Sequence, residues 1–181
     1  MESQAGKFNC WYKRIRCVEM KIFLTGASGM LAADVIPELK ALGHVIVETD
    51  AKPRLEHIQV LDITDAKQVD EKINAASADF VFHLAAKTNV DYCEQNPDNA
   101  FKVNTMGTEN VVLACQKYDI PLLYVSTAGV FSGDKKEPYT EFDEPRPVNI
   151  YGESKLQGEH IVKKLLSKFF IIRGAWMMGG W

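Results

Sequence analysis

The stretch KIFLTGASGMLAADV, residues 21–35, constrains this chain more than any other. A short β-branched and aromatic run ends at Gly26, a turn carrying Gly29 follows, and apolar residues at helical spacing begin at once. A strand that feeds a helix through a glycine turn belongs to a crossover unit, which returns the chain parallel to its first strand. The same turn sets the free amides of a helix start beside glycines that let a ligand come close to the backbone. That is a cradle for a pyrophosphate, unless it is a glycine turn with no ligand. Its candidate contacts are Gly26, Ser28, Gly29, Met30 and Leu31. Ala32 stands where a third glycine is usual and is small enough for helix–sheet packing.

The pattern keeps alternating. Strands are predicted at residues 44–50, 57–64, 79–86, 121–127 and 169–176. Helices are predicted at 30–43, with Pro37 expected to kink it, at 65–76, and as one long helix over 96–119. A further helix carries Tyr151. Strands alternating with helices predict an α/β fold, a doubly wound parallel sheet of the Rossmann type. The one long irregular piece is 128–148, a length that is usually functional or mobile.

Several residues fall at the carboxyl ends of the predicted strands, where such sheets bind ligands. Asp50 ends the second strand about twenty residues beyond the glycine turn. A carboxylate there accepts from ribose hydroxyls and repels a 2′-phosphate, so NAD is favoured; a turn aspartate is the alternative. Lys52 and Arg54 follow closely enough to reach a 2′-phosphate, which leaves NADP open. Asp62 and Ile63 are placed against an adenine, with a turn aspartate as the competing account. Leu84, Ala85, Ala86 and Thr88 end the fourth strand with small residues that let backbone crowd a cofactor, or that simply pack. Tyr151 and Lys155 are four apart and share one helical face. A free phenol has a pKa of about 10, which a neighbouring cation lowers. The ordinary alternative is a surface pair on an amphipathic helix.

The net charge of −3 gives no hint of a nucleic-acid partner, and no apolar run reaches membrane-spanning length. The four cysteines, Cys10, Cys17, Cys93 and Cys115, form no C-x-x-C pair and no zinc spacing. Cys93 and Cys115 read as reduced thiols, so a cytoplasmic protein without a metal is expected. Residues 1–19 lack periodicity and an apolar signal core, and are expected to lie outside the fold as an extension.

The segments TGASGMLA, HLAAKTNVD, VSTAGVFSG, PYTEFDEPRPVNIYGESKLQGE and IIRGAWMMGG occur in order. Together they resemble the extended short-chain dehydrogenase/reductase superfamily, and within it the dTDP-4-dehydrorhamnose reductases and their sugar-nucleotide relatives. The resemblance covers residues 20–181 and implies an NAD(P)-dependent reductase of a nucleotide-linked 4-keto sugar. It makes Tyr151 the general acid–base, Lys155 its partner, and Thr127 a hydroxyl that bonds the substrate oxygen, with Ser126 beside it. It also makes Asn104 a support behind the site. Trp176 matches an aromatic that faces the substrate, with core packing as the alternative. Ala128 and Gly129 depart from the family's usual aspartate–tyrosine pair.

The family continues past the final glycines into a substrate-gripping lobe, which residues 20–181 do not include. Poor turnover by the 181-residue chain, and association into a homo-dimer through bare sheet edge, are therefore expected. Two other readings stand beside the reductase. One is a sugar-nucleotide epimerase or dehydratase. The other is a non-catalytic dinucleotide-binding subunit, like the β-subunit of methionine adenosyltransferase.

Overall fold

Six parallel strands lie in the order β3-β2-β1-β4-β5-β6 in a computed structural model that describes residues 18–179. The expected extension lies outside the described residues apart from Val18 and Glu19. The strands are β1 Lys21–Thr25, β2 Val45–Asp50, β3 Gln59–Val60, β4 Phe80–His83, β5 Leu122–Thr127 and β6 Phe169–Gly174. The helices are α1 Met30–Ala41, α2 Ala66–Ala76, α3 Val90–Gln95, α4 Pro97–Phe101, α5 Thr108–Tyr118 and α6 Ile150–Leu165. The strand order reverses between β1 and β4, so their carboxyl ends open a crevice, the usual ligand position in a doubly wound sheet.

Side-chain alternation divides the core between the two faces of the sheet. Phe23, Val81 and Tyr124 pack with Val69 and Ile73 of α2, Val111 and Val112 of α5, and Val162 of α6. Leu24 lies on the other face with Ala32 and Ile36 of α1. On β6 the alternation leaves Phe170 and Ile172 exposed, with Phe170 stacked on Phe80 at 6.3 Å.

Three elements differ from the sequence expectation. The third strand spans two residues, because β3 is an edge that pairs only with Thr49 and Asp50. The Asp62 carboxylate then turns the chain by accepting from Thr64 N and Thr64 Oγ1. The long helix over 96–119 is broken by a π-helical turn, Lys102–Gly107, set between α4 and α5. Its side chains are drawn out of helical register by partners elsewhere: Asn104 to Lys87, and Thr105 Oγ1 to the carbonyl of Ser154. The sequence reading also omits α3, which Asn89 caps by accepting from Tyr92 N at 2.7 Å. Pro37 sits on the exposed side of α1, and the helix continues through it.

Candidate active site

A cleft of about 1010 Å³ opens at the carboxyl ends of the strands. Its floor begins at Gly26, whose φ is +80°. A Cβ on Gly26 would lie 2.7 Å from Ala85 N and 2.8 Å from Ala85 Cα, both backbone atoms. The turn after β1 therefore runs directly against the exit of β4, which only a glycine permits. Gly29, Met30 and Leu31 follow along the cleft at the start of α1. Ser28 does not line it. Instead Ser28 N donates to Asp50 Oδ2 at 3.0 Å, and Ser28 Oγ accepts from Arg54 N at 3.1 Å. Lys52 N donates to Asp50 Oδ1 at 2.8 Å. Asp50 thus faces the cleft and also pins the segment after β2 to the glycine turn.

Asp62, Ile63, Leu84, Ala85, Ala86 and Thr88 all border the same cleft. Lys87, Tyr92, Asn99 and Lys102 border it too, and the sequence reading did not single them out. They come from the stretch 87–102, which includes the short α3 and α4 packed beside α6.

Thr127, Tyr151 and Lys155 border the same cleft. Asn149 caps α6 by accepting from Gly152 N at 2.7 Å, which starts the helix one residue before Tyr151. Gly152 and Gly158 then bring α6 close to the sheet. A Cβ on Gly152 would collide with Gly129 O, and one on Gly158 with the Tyr124 hydroxyl. Thr127 Oγ1 accepts from Gly129 N at 3.0 Å, which holds its hydroxyl at the end of β5.

Burial pushes the Tyr151 phenol above its usual range, and a hydrogen bond with Thr127 draws it part of the way back. This departs from the expected acidification by Lys155. The Lys155 ammonium is buried and rests over the Tyr124 ring, 4.1 Å from its centroid. Burial brings it down to about 7, against the charge of Glu159, which holds it up. Thr127 is therefore the group that tunes the phenol, and Lys155 lies deeper.

Ser126 borders the cleft beside Thr127. Alternation along β5 turns it to the opposite face from Thr127, and its hydroxyl donates to Glu159 Oε1 at 2.6 Å. Asn104 is buried behind the site. It accepts from Lys87 N at 2.7 Å and donates to Lys87 O and Ser154 Oγ, both at 3.0 Å. Trp176 stands on the cleft rim and is 99% exposed, so it is no core residue.

Glu159, one turn beyond Lys155, has no exposed surface. Arg173 of β6 donates to it twice, through Nε at 2.9 Å and Nη2 at 2.7 Å, and Lys163 Nζ adds a third ion contact at 3.2 Å. Burial alone would raise its carboxyl. The Arg173 fork and Ser126 outweigh that and hold it below the usual range. A depressed folded value means that its contribution is complete above the ordinary carboxylate range and is lost as pH falls through the folded value. Arg173→Met is expected to cost about 3 kcal/mol, the low end for a broken buried pair because Lys163 remains. Urea melts across pH should show that loss at neutral pH and acid unfolding at a higher pH than in the parent.

Residues 20–180 match the family model described as RmlD substrate binding domain. The chain is 36% identical over 163 residues to "Probable low-salt glycan biosynthesis reductase Agl14" of Haloferax volcanii, covering 88% of this chain and 54% of that protein. It is 34% identical over 168 residues to dTDP-4-dehydrorhamnose reductase of Mycolicibacterium smegmatis, covering 92% and 49%. The crystal structure of dTDP-4-dehydrorhamnose reductase from Bacillus anthracis in complex with NADP superposes with a TM-score of 0.81 at 38% identity, covering 88% and 54%. The chain thus spans about half the length of the relatives it matches. Since that match takes in residues 20–180, with the whole sheet and the residues of the cleft, the chain belongs to the RmlD substrate binding domain family.

Proposed function

We propose that this chain carries the cofactor and proton-transfer site of an NAD(P)H-dependent reductase whose substrate is a nucleotide-linked 4-keto sugar. The observation that carries the reading is one cleft bordered by both the glycine cradle and the hydrogen-bonded Thr127–Tyr151 hydroxyl pair. The cradle fits a dinucleotide, because the space a Gly26 side chain would take is closed by backbone while the cleft side of the turn stays open. Gly26, Gly29, Met30 and Leu31 would hold the pyrophosphate, and Asp62, Ile63 and Leu84 through Thr88 would line the rest. Asp50 would take the ribose hydroxyls, which favours NAD, while Lys52 at the same rim admits NADP.

When bound, the reduced nicotinamide supplies the hydride. The chain's own residues handle the proton and the orientation. Tyr151 holds its proton at neutral pH, since burial raises its phenol, and can yield it to a carbonyl oxygen that becomes an alkoxide, a far stronger base. Thr127 offers a second hydroxyl to the same oxygen, and Trp176 presents an aromatic surface at the rim. Lys155, at the same cleft, would hold the nicotinamide ribose. Ala128 and Gly129 place no acid after Thr127, which favours simple reduction over elimination.

Calorimetry with NADH and NADPH tests the cofactor half of this reading. NADH is expected to bind, and more tightly than NADPH. Binding of neither by a folded sample would overturn the reading. A preference for NADPH would overturn only the role of Asp50.

A further inference from the structure

His83 closes β4 and is 1% exposed, beneath the cleft wall. Its Nδ1 is 2.7 Å from Thr25 Oγ1 and its Nε2 is 3.0 Å from Thr108 Oγ1. The proton positions follow from the partners. Thr108 has one proton, which it donates to Asn104 O at 2.7 Å, so toward His83 it accepts. Nε2 therefore carries hydrogen. The bare Nδ1 of the neutral ring accepts the Thr25 proton, and Thr25 Oγ1 in turn accepts from Ala85 N at 3.3 Å. The donations run in one unbroken sense, from Ala85 N through Thr25, the ring and Thr108 to Asn104 O.

The two ends of this chain hold the same stretch of backbone. One end is Ala85 N, the atom against which Gly26 is pressed. The other is the carbonyl of Asn104, whose side chain grips Lys87 N and Lys87 O and reaches Ser154. The Ser154 hydroxyl donates to the carbonyl of Tyr151 at 2.8 Å. His83 lies between the phosphate turn and the Tyr151 helix start, and touches neither a cofactor position nor a substrate position.

We infer that His83 is a positioning residue, whose single fixed tautomer ties the cleft wall 84–87 to the glycine turn through Thr25 and to the turn behind Tyr151 through Thr108. This rests on reading the cleft as a dinucleotide site. Its surroundings keep the ring neutral: burial, and then the cation of Lys155 across the stacked Tyr124 ring, push His83 down to about 3.

Nitrogen-15 NMR of histidine-labelled protein tests the tautomer without any ligand. His83 is expected to show hydrogen on Nε2 alone, unchanged on acidification until the protein unfolds. Hydrogen on Nδ1, or a charged ring at neutral pH, would overturn the inference. A double-mutant cycle tests the coupling. Thr25→Val and Thr108→Val are each expected to weaken NADH binding by about fivefold, and the pair by little more than either alone. A pair that weakens it by the product, about 25-fold, would show two independent contacts and overturn the inference. Failure of the parent protein to bind NADH would sink the cofactor reading instead, and the tautomer would then decide the inference alone.

Discussion

In a chain that carries the substrate-gripping lobe as well, Tyr151→Phe is expected to slow reduction of a nucleotide-linked 4-keto sugar by about 10²- to 10⁴-fold, the usual worth of a general acid. The change deletes one oxygen and keeps the ring that α6 holds against the cleft. Thr127 keeps its bond from Gly129 N, so the remaining hydroxyl stays in place but has no acid beside it. Affinity for NADH should stay within about threefold, less than the tenfold that 1.4 kcal/mol represents. Single-turnover rates with protein in excess, together with calorimetry, separate the two quantities. A rate that survives would remove the proton role of Tyr151. A lost affinity would mean that the phenol mainly holds the cofactor.

Gly26→Ala is the second large effect, and it acts on cofactor and fold together. At φ +80° a side chain costs about 1–2 kcal/mol from its own carbonyl contact. The new Cβ also meets Ala85 N and Ala85 Cα, which are backbone and have no rotamer to escape into. The exit of β4 must move, and with it the wall that Thr25 and His83 hold. A stability loss of about 2–3 kcal/mol and a fall in NADH affinity of at least about 30-fold are expected. Gly43→Ala is the control. Its φ is +89° and nothing lies within 4 Å of a Cβ there, so it should lose about 1–2 kcal/mol of stability and no NADH affinity. Equal effects of the two changes on NADH binding would show that close approach at Gly26 has no bearing on the cleft.

The parts of the fold that were legible in the sequence are those fixed by local rules. The run from β1 through the glycine turn into α1 needs only strand composition, two glycines and helical spacing. The parallel sheet follows from strand–helix alternation. What was not legible depends on distant partners. The π-turn at Lys102–Gly107 exists because Asn104 and Thr105 answer to Lys87 and Ser154, which no helical pattern reveals. The third strand reads as eight residues and forms two, since its partner strand ends at Asp50.

The site shows the same division. Gly26, Thr127 and Tyr151 reach one cleft as their motifs suggest. Ser126 and Thr127 both border it, although they face opposite ways along β5 and the Ser126 hydroxyl donates to Glu159. Glu159 carried a weak signal, a carboxylate one turn from Lys155, but its meaning needs Arg173 from β6. His83 had none, because its role is written only in the two threonines on either side of its ring. The tuning of Tyr151 also turns on burial and Thr127, which the four-residue spacing to Lys155 does not disclose.

The central claim is that this cleft passes hydride and proton to a ketone of a nucleotide-linked sugar. The direct measurement uses the chain with its substrate-gripping lobe in excess, NADH deuterated at the transferring carbon, and a dTDP-linked 4-keto-6-deoxy sugar. The account predicts deuterium on carbon 4 of the sugar within a single turnover, and almost none with Tyr151→Phe. Unlabelled sugar from folded protein with NADH bound would contradict it, and would leave a dinucleotide-binding domain without reductase chemistry.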